Sequence, residues 1–258
     1  MFELRVMKFA LGLSLFVALT SLGHAQVLIN EQFTQGTGGS PVGLDGKAPT
    51  YSSSAVTEHW TADSSLTENG TEASIPYAPS TQAIGYLAIP GASLGLTVGD
   101  TYTLSFTLGP ASGSSWTSAG FGTETSTSNV TYTGSNYGGF WVLNNGGAIA
   151  LYANSSNGSA NQIGGVILTN GDVGNVTLTI AVGATSDTLS ALVNGNPVTL
   201  SNVPSSLAPV TDVFIGHYEA GGTFSDLVLT APEPSTWAMM LLGAAGLLVI
   251  TRRRLLKA

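Results

Sequence analysis

A chain of 258 residues with 15 acidic side chains, 7 Lys and Arg and no cysteine carries a formal net charge of −8 and has no disulfide to hold it together. The imbalance is sharper between Gln26 and Ala231, where all the acidic residues except Glu3 and Glu233 face a single base, Lys47, for a net charge near −12. One cation cannot neutralise a run of phosphates, which excludes nucleic acid and disfavours anionic lipid, leaving neutral glycans, cations or basic proteins as partners.

The chain opens with Arg5 and Lys8 ahead of an apolar run, Phe9 to Leu22, and Gly23, His24 and Ala25 offer the small residues that a signal peptidase cuts behind. That order predicts a secretory leader over residues 1–25 and a mature chain from Gln26. The stretch from Gln26 to Ala231 suits one domain, long enough to bury a core without covalent staples. Its polarity comes from Ser, Thr, Asn and Gly, since charged residues are only 9% of the sequence.

Val27 to Phe33 reads as a short strand, and Pro41 to Thr71 as long loops with one strand around Ala55 to Trp60. Gly85 to Ile89 is the next strand, ended by Pro90 and Gly91. From Thr101 to Leu108, Tyr102, Leu104, Phe106 and Leu108 alternate with hydroxyls, the period of a strand with one buried face. Trp116 to Gly122 and Asn129 to Thr133 repeat it less cleanly. Phe140 to Leu143 and Ala148 to Tyr152 flank Asn144 to Gly147 as a hairpin. Val176 to Val182 alternates again, and Thr188 to Val193 turns through Asn194 and Gly195 into Pro197 to Leu200, the Asn-Gly pair favouring a tight hairpin turn. Val213 to His217 and Phe224 to Thr230 complete an all-β set with no helical period and no fixed repeat.

The order of these pieces resembles the concanavalin A-like, or laminin-G-like, jelly roll: Asn30-Glu31-Gln32-Phe33 early, a Tyr-x-Leu-x-Phe strand, Gly120-Phe121-Gly122, a Val193-Asn194-Gly195 turn and a closing Phe224-Ser-Asp-Leu-Val-Leu strand. An immunoglobulin-like sandwich is the competing architecture, at about half this length.

The tail has three parts in order. Pro232, Glu233 and Pro234 form a stiff spacer, Thr236 to Thr251 carry no charge and are mostly apolar, and Arg252, Arg253, Arg254 and Lys257 follow. The apolar run is near the roughly 20 residues that span a bilayer, with the arginines as a cytoplasmic stop. This arrangement resembles the PEP-CTERM sorting signal of exported bacterial proteins over residues 232–258. The resemblance implies a transmembrane helix, processing near Pro-Glu-Pro by an exosortase, and delivery to the cell envelope or an exopolysaccharide layer.

Enzymes of the concanavalin-like fold that cleave polysaccharides are expected to carry two glutamates on one strand in a Glu-x-Asp-x-Glu pattern, and this chain lacks it. Glu68 with Glu72, and Glu219 with Asp226, read as solvated loop acids. His59 and His217 read as surface or strand-end residues and are too few for zinc. No catalytic residue and no cofactor are expected, although the resemblance leaves room for calcium, to which Asp45, Asp63, Asp100, Asp172, Asp187, Asp212 and Asp226 could offer oxygen. Sugars present apolar faces ringed by hydroxyls, so aromatic rings beside amides are the candidates for glycan contact: Trp60, Trp116, Tyr137 and Asn144, with Trp141, Tyr152, Asn136 and Asn145 close in sequence. The expectation is a non-enzymatic surface or matrix module; the alternatives are a polysaccharide-cleaving enzyme with an atypical carboxylate pair and an adhesive module.

Overall fold

Alternating apolar and hydroxyl side chains, cut into short runs by Gly, Asn and Pro, favour strands along this chain. The computed structural model describes residues 25–36, 40–53, 58–74, 82–92, 95–109, 115–123, 139–145, 148–154, 160–168, 174–205, 207, 209–218 and 222–232. Their strands in chain order are β1 (Ala25–Glu31), β2 (Val42–Gly43), β3 (Tyr51–Ser52), β4 (Thr61–Ala62), β5 (Thr67–Glu68), β6 (Ala73–Ser74), β7 (Gln82–Ala88), β8 (Thr101–Leu108) and β9 (Trp116–Gly122). There follow β10 (Phe140–Asn145), β11 (Ala148–Asn154), β12 (Ala160–Ile167), β13 (Gly174–Ala181), β14 (Thr188–Val193), β15 (Asn196–Pro197), β16 (Asp212–Tyr218) and β17 (Thr223–Pro232).

Two antiparallel sheets result. One runs β15, β14, β13, β8, β17, β6, β5, β2, with β1 joined to β17 and β3 to β1; the other runs β12, β11, β10, β9, β16, β7, β4. Sequence neighbours β8 and β9 lie in different sheets, as do β16 and β17, so the chain crosses between layers as a jelly-roll sandwich does.

The predicted alternation sets the core. Tyr102, Leu104, Phe106 and Leu108 of β8, Val176, Leu178 and Ile180 of β13, and Leu189, Ala191 and Val193 of β14 are buried in one cluster with Phe121, Phe140, Val142, Val213 and Ile215 of the second sheet. Each fully buried Leu, Ile or Phe stabilises the fold by roughly 1.5–3 kcal/mol. The intervening hydroxyls pair across strands, Thr103 with Thr179 and Ser105 with Thr177 at 3.3 Å, and Thr107 donates to Asn175 at 2.9 Å. The outer face of the first sheet thus satisfies its polar groups without charge.

Two expectations change, and one strand is new. No strand covers Glu58 to Trp60; the region from Val42 to Ser74 holds five two-residue strands instead. Of Pro197 to Leu200 only the first residue belongs to β15; Val198 still donates its amide to Ala191 of β14 at 3.0 Å, and by Ser201 the chain has turned to β12, donating to Ile163 at 2.7 Å. β12 itself was not legible, since Gly164 and Gly165 interrupt its alternation. Among the described residues no helix is long and apolar enough to cross a membrane. The predicted leader up to His24, the strand at Asn129 to Thr133, Tyr137, and the tail from Glu233 with Arg252, Arg253 and Arg254 lie outside the described residues.

Candidate functional site

Residues facing each other across a ladder share a face, so register decides which side chains meet. In the second sheet, Phe140 pairs with Phe121 and Phe121 with Val213, all in the core. The neighbouring rows point away from it. One row crosses all seven strands as Gln162, Tyr152, Trp141, Gly120, Phe214, Tyr86 and Thr61. The next outward rows carry Leu143, Ser118, Gly216 and Ile84, then Trp116 and Tyr218.

These side chains form a second apolar cluster, separate from the core: Ile84, Trp116, Trp141, Leu143 and Phe214, with Tyr86, Tyr152 and Tyr218 half-buried against it. Trp141 stacks on Tyr152 with ring centroids 5.8 Å apart and planes 14° apart, and Trp116 stacks on Tyr218 at 5.9 Å and 19°. The central strands β9 and β16 present Ser118, Gly120, Gly122 and Gly216 between these pairs and Tyr86. At Gly120 the glycine is obligatory, because a Cβ there would stand 2.5 Å from the Phe140 carbonyl and from Trp141 Cα. Ser118 Oγ is buried with no hydrogen-bond partner. Trp141 is 1% exposed, Trp116 and Leu143 are nearly as buried and Ile84 and Phe214 fully so, which leaves the half-buried Tyr86, Tyr152 and Tyr218 as the rings of this face that reach solvent.

The sequence candidates divide accordingly. Trp116, Trp141 and Tyr152 come together on this outer face. Trp60 does not: it is 1% exposed within the core, 6.0 Å from Phe33 by ring centroid, and its indole N–H is spent on Glu31 Oε2 at 2.9 Å. Asn144 points inward, fully buried, and its amide donates to the Gly109 carbonyl at 3.5 Å. Both point to the inside of the sandwich, whereas Trp141, as deeply buried, lies on the opposite side of the second sheet. Phe214, Tyr86 and Tyr218 escaped notice because no local pattern marks them; the pairing of β16 with β9 and β7 brings them to the face.

Asn144 shares its inward row with Thr117 and His217, all fully buried. His217 is therefore not a surface residue. Its Nε2 accepts the Gly222 amide at 2.9 Å, which assigns the proton of the neutral ring to Nδ1, and Nδ1 has no partner. Burial lowers the His217 pKa from 6.5 to about 4.

Of the paired carboxylates, Glu72 is half-exposed and accepts the Asn69 amide at 3.1 Å, Asp226 is exposed as a solvated acid is, and Glu219 lies outside the described residues. Glu68, in contrast, is 1% exposed rather than a solvated loop acid, and Glu31, on the N-terminal strand, is 2% exposed. Among the described residues no three His, Asp or Glu gather as a metal site, and the outer aromatic face carries one carboxylate, Asp212, which accepts the Thr211 hydroxyl at 2.6 Å.

Residues 230–254 match the PEP-CTERM protein-sorting motif. The match starts inside β17, so sorting signal and sandwich share Thr230 to Pro232. A motif of this kind implies export and sorting at the C-terminus. No curated protein matches the chain. Among solved structures, the sandwich is similar to the Emp47p carbohydrate recognition domain, at 12% identity and TM-score 0.47 over 74% of this chain and 93% of that one. The metal-free Emp46p carbohydrate recognition domain matches at 11% and 0.48, over 67% and 87%. The receptor binding domain of the botulinum neurotoxin C/D mosaic serotype matches at 10% and 0.44, over 78% and 50%.

Proposed function

We propose that this chain is an exported, non-enzymatic surface module. It is tethered to the inner membrane by its C-terminal segment, cut near Pro232, Glu233 and Pro234 by an exosortase-type enzyme, and delivered to the cell envelope or an exopolysaccharide layer. There the outer aromatic face of the second sheet holds a neutral glycan. The observation that carries the glycan reading is the pairing of Trp141 with Tyr152 and Trp116 with Tyr218 on the side of the sheet away from the core. Pyranose rings stack on aromatic rings, and Tyr86, Tyr152 and Tyr218 emerge far enough from the cluster to offer both ring and hydroxyl. The charge near −12 favours a neutral or cationic partner over an acidic one.

Cleavage of a glycosidic bond takes two carboxylates flanking it. Among the described residues this face carries Asp212, and the release of reducing ends from a polysaccharide is the readout that separates binding from turnover.

Two experiments test the reading. Mass spectrometry of the cell-derived protein is expected to find the chain ending upstream of Arg252; an intact tail on every molecule contradicts processing. Incubation with the producing organism's own extracellular polysaccharide is expected to retain the protein and release no new reducing ends; the appearance of reducing ends would make it an enzyme.

A further inference from the structure

The Trp116–Tyr218 stack sits at the end of the ladder between β9 and β16, where Tyr218 pairs with Trp116 on the last rung and His217 with Thr117 on the rung before it. Side chains alternate along a strand, so Trp116 and Tyr218 turn to the outer face while Thr117 and His217 turn inward, both 0% exposed. The inward rung is closed by Gly222, one residue ahead of β17. Its amide donates to His217 Nε2 at 2.9 Å, and a Cβ there would overlap Thr117 Cγ2 and meet His217 Cδ2 at 3.4 Å. One imidazole nitrogen thus fastens the strand that carries Tyr218 to the start of β17.

That bond holds only while the ring is neutral. An imidazolium is a donor at both nitrogens, so a protonated Nε2 would face the Gly222 N–H donor to donor. Nδ1 offers no relief, since it is buried with no hydrogen-bond partner. Among the described residues no countercharge faces the ring: Thr117 is its partner on β9, Ala83 its partner on β7, and Asn144 of β10 the next residue along the row. The first sheet meets this end at Gly109, whose carbonyl accepts the Asn144 amide, and at Thr223, whose carbonyl accepts the Gly109 amide. Burial alone lowers the His217 pKa from 6.5 to about 4. A charged ring must therefore reach water, and parting the last rungs of a ladder exposes it at less cost than unfolding the sheet.

We propose that His217 is an acid-operated release for the outer aromatic face: protonation at Nε2 breaks the bond to Gly222, parts the last two rungs of β9 and β16, and undoes the Trp116–Tyr218 stack. The release regulates the proposed glycan site and rests on that reading for its purpose, but not for its motion. Trp141 and Tyr152, paired between β10 and β11, lie outside the parted rungs. Acid therefore removes one of the two stacked pairs and weakens the grip while the sandwich stays folded.

Hydrogen exchange read by mass spectrometry on the full-length chain in mild detergent tests the motion without any ligand, wild type against His217→Gln at each pH. Glutamine does not titrate, and its amide oxygen accepts an N–H as Nε2 does. With the His217 pKa at 6.5 when exposed and about 4 when buried, the ratio of wild-type to variant exchange over residues 214–218 is expected to rise about a hundredfold between pH 7 and pH 4. Residues 174–181 of β13 are expected to stay protected in both proteins. A flat ratio, or a β13 that opens together with β16, overturns the proposal. If the variant does not fold, the wild type decides, by whether 214–218 loses protection ahead of 174–181 as pH falls. Retention on the producing organism's extracellular polysaccharide is followed over the same range, and is expected to weaken about tenfold or more by pH 4 in the wild type and to hold in His217→Gln, since affinity scales with the closed fraction. Equal loss in both proteins, or none in the wild type, overturns the release. Absence of retention at pH 7 overturns the glycan reading instead, and the exchange ratio alone then decides the motion.

Discussion

His217 and Glu68 make opposite statements about pH. The folded pKa of His217 is depressed from 6.5 to about 4, so its stabilising effect is present above pH 6.5 and is lost as pH falls toward 4. The loss is on the order of 3 kcal/mol over that window. Urea unfolding between pH 7 and about pH 4 is expected to show it, and His217→Gln is expected to flatten the slope; an unchanged slope in the variant means that other groups set it. Glu68 is raised above its ordinary 4.5, so its contribution is present below that value and is lost as pH rises through the folded pKa. At a pH above that folded pKa, Glu68→Gln is accordingly expected to unfold at a higher temperature than wild type, read as a thermal transition; an equal or lower transition would mean that the buried charge is met in the fold.

Gly120 is a second residue-scale constraint. A methyl group there meets the Phe140 carbonyl and Trp141 backbone at 2.5 Å, atoms that have no rotamer to escape into. Gly120→Ala is expected to cost about 1–3 kcal/mol, read as a lower urea midpoint. An unchanged midpoint would mean that β9 and β10 separate at little cost and that the Trp141 stack is not fixed from below.

Elements that carry their own period were legible, and those that depend on distant partners were not. β8, β13 and β14 fall where alternation put them, because one face of each meets the core. The Asn194-Gly195 turn was equally plain, and both residues take positive φ, 51° and 76°. Asn194 also accepts the Asn175 amide through Oδ1 at 2.8 Å, tying the turn to β13. Gly195→Val is expected to destabilise the hairpin by about 1 kcal/mol or more, measured by denaturant unfolding, because a β-branched residue resists that φ. By contrast, β12 has paired glycines and an Ile167 that is 86% exposed, so neither alternation nor burial marks it. Trp60 was misplaced for a related reason. A lone tryptophan between loops has no local period, and its partner Glu31 is 29 residues away.

At the scale of the whole molecule, charge and register divide the labour. Composition set the expectation against a nucleic-acid partner, and the order of spacer, apolar run and arginines pointed to the sorting motif that residues 230–254 match. Which rings face outward was beyond composition. It follows from pairing β9 between β10 and β16, which lines up residues scattered from Tyr86 to Tyr218. The account therefore rests on the outer aromatic face, and the tyrosines that half-emerge from it are where the face can be weakened without emptying the core. The direct measurement is retention of the full-length chain on the producing organism's extracellular polysaccharide, wild type against the double variant Tyr152→Ala, Tyr218→Ala, with unfolding midpoints checked in parallel. The account predicts retention of the wild type and a loss of about tenfold or more in affinity for the variant, a difference of roughly 1.4 kcal/mol. Equal retention of the two proteins, or none of the wild type, would contradict it.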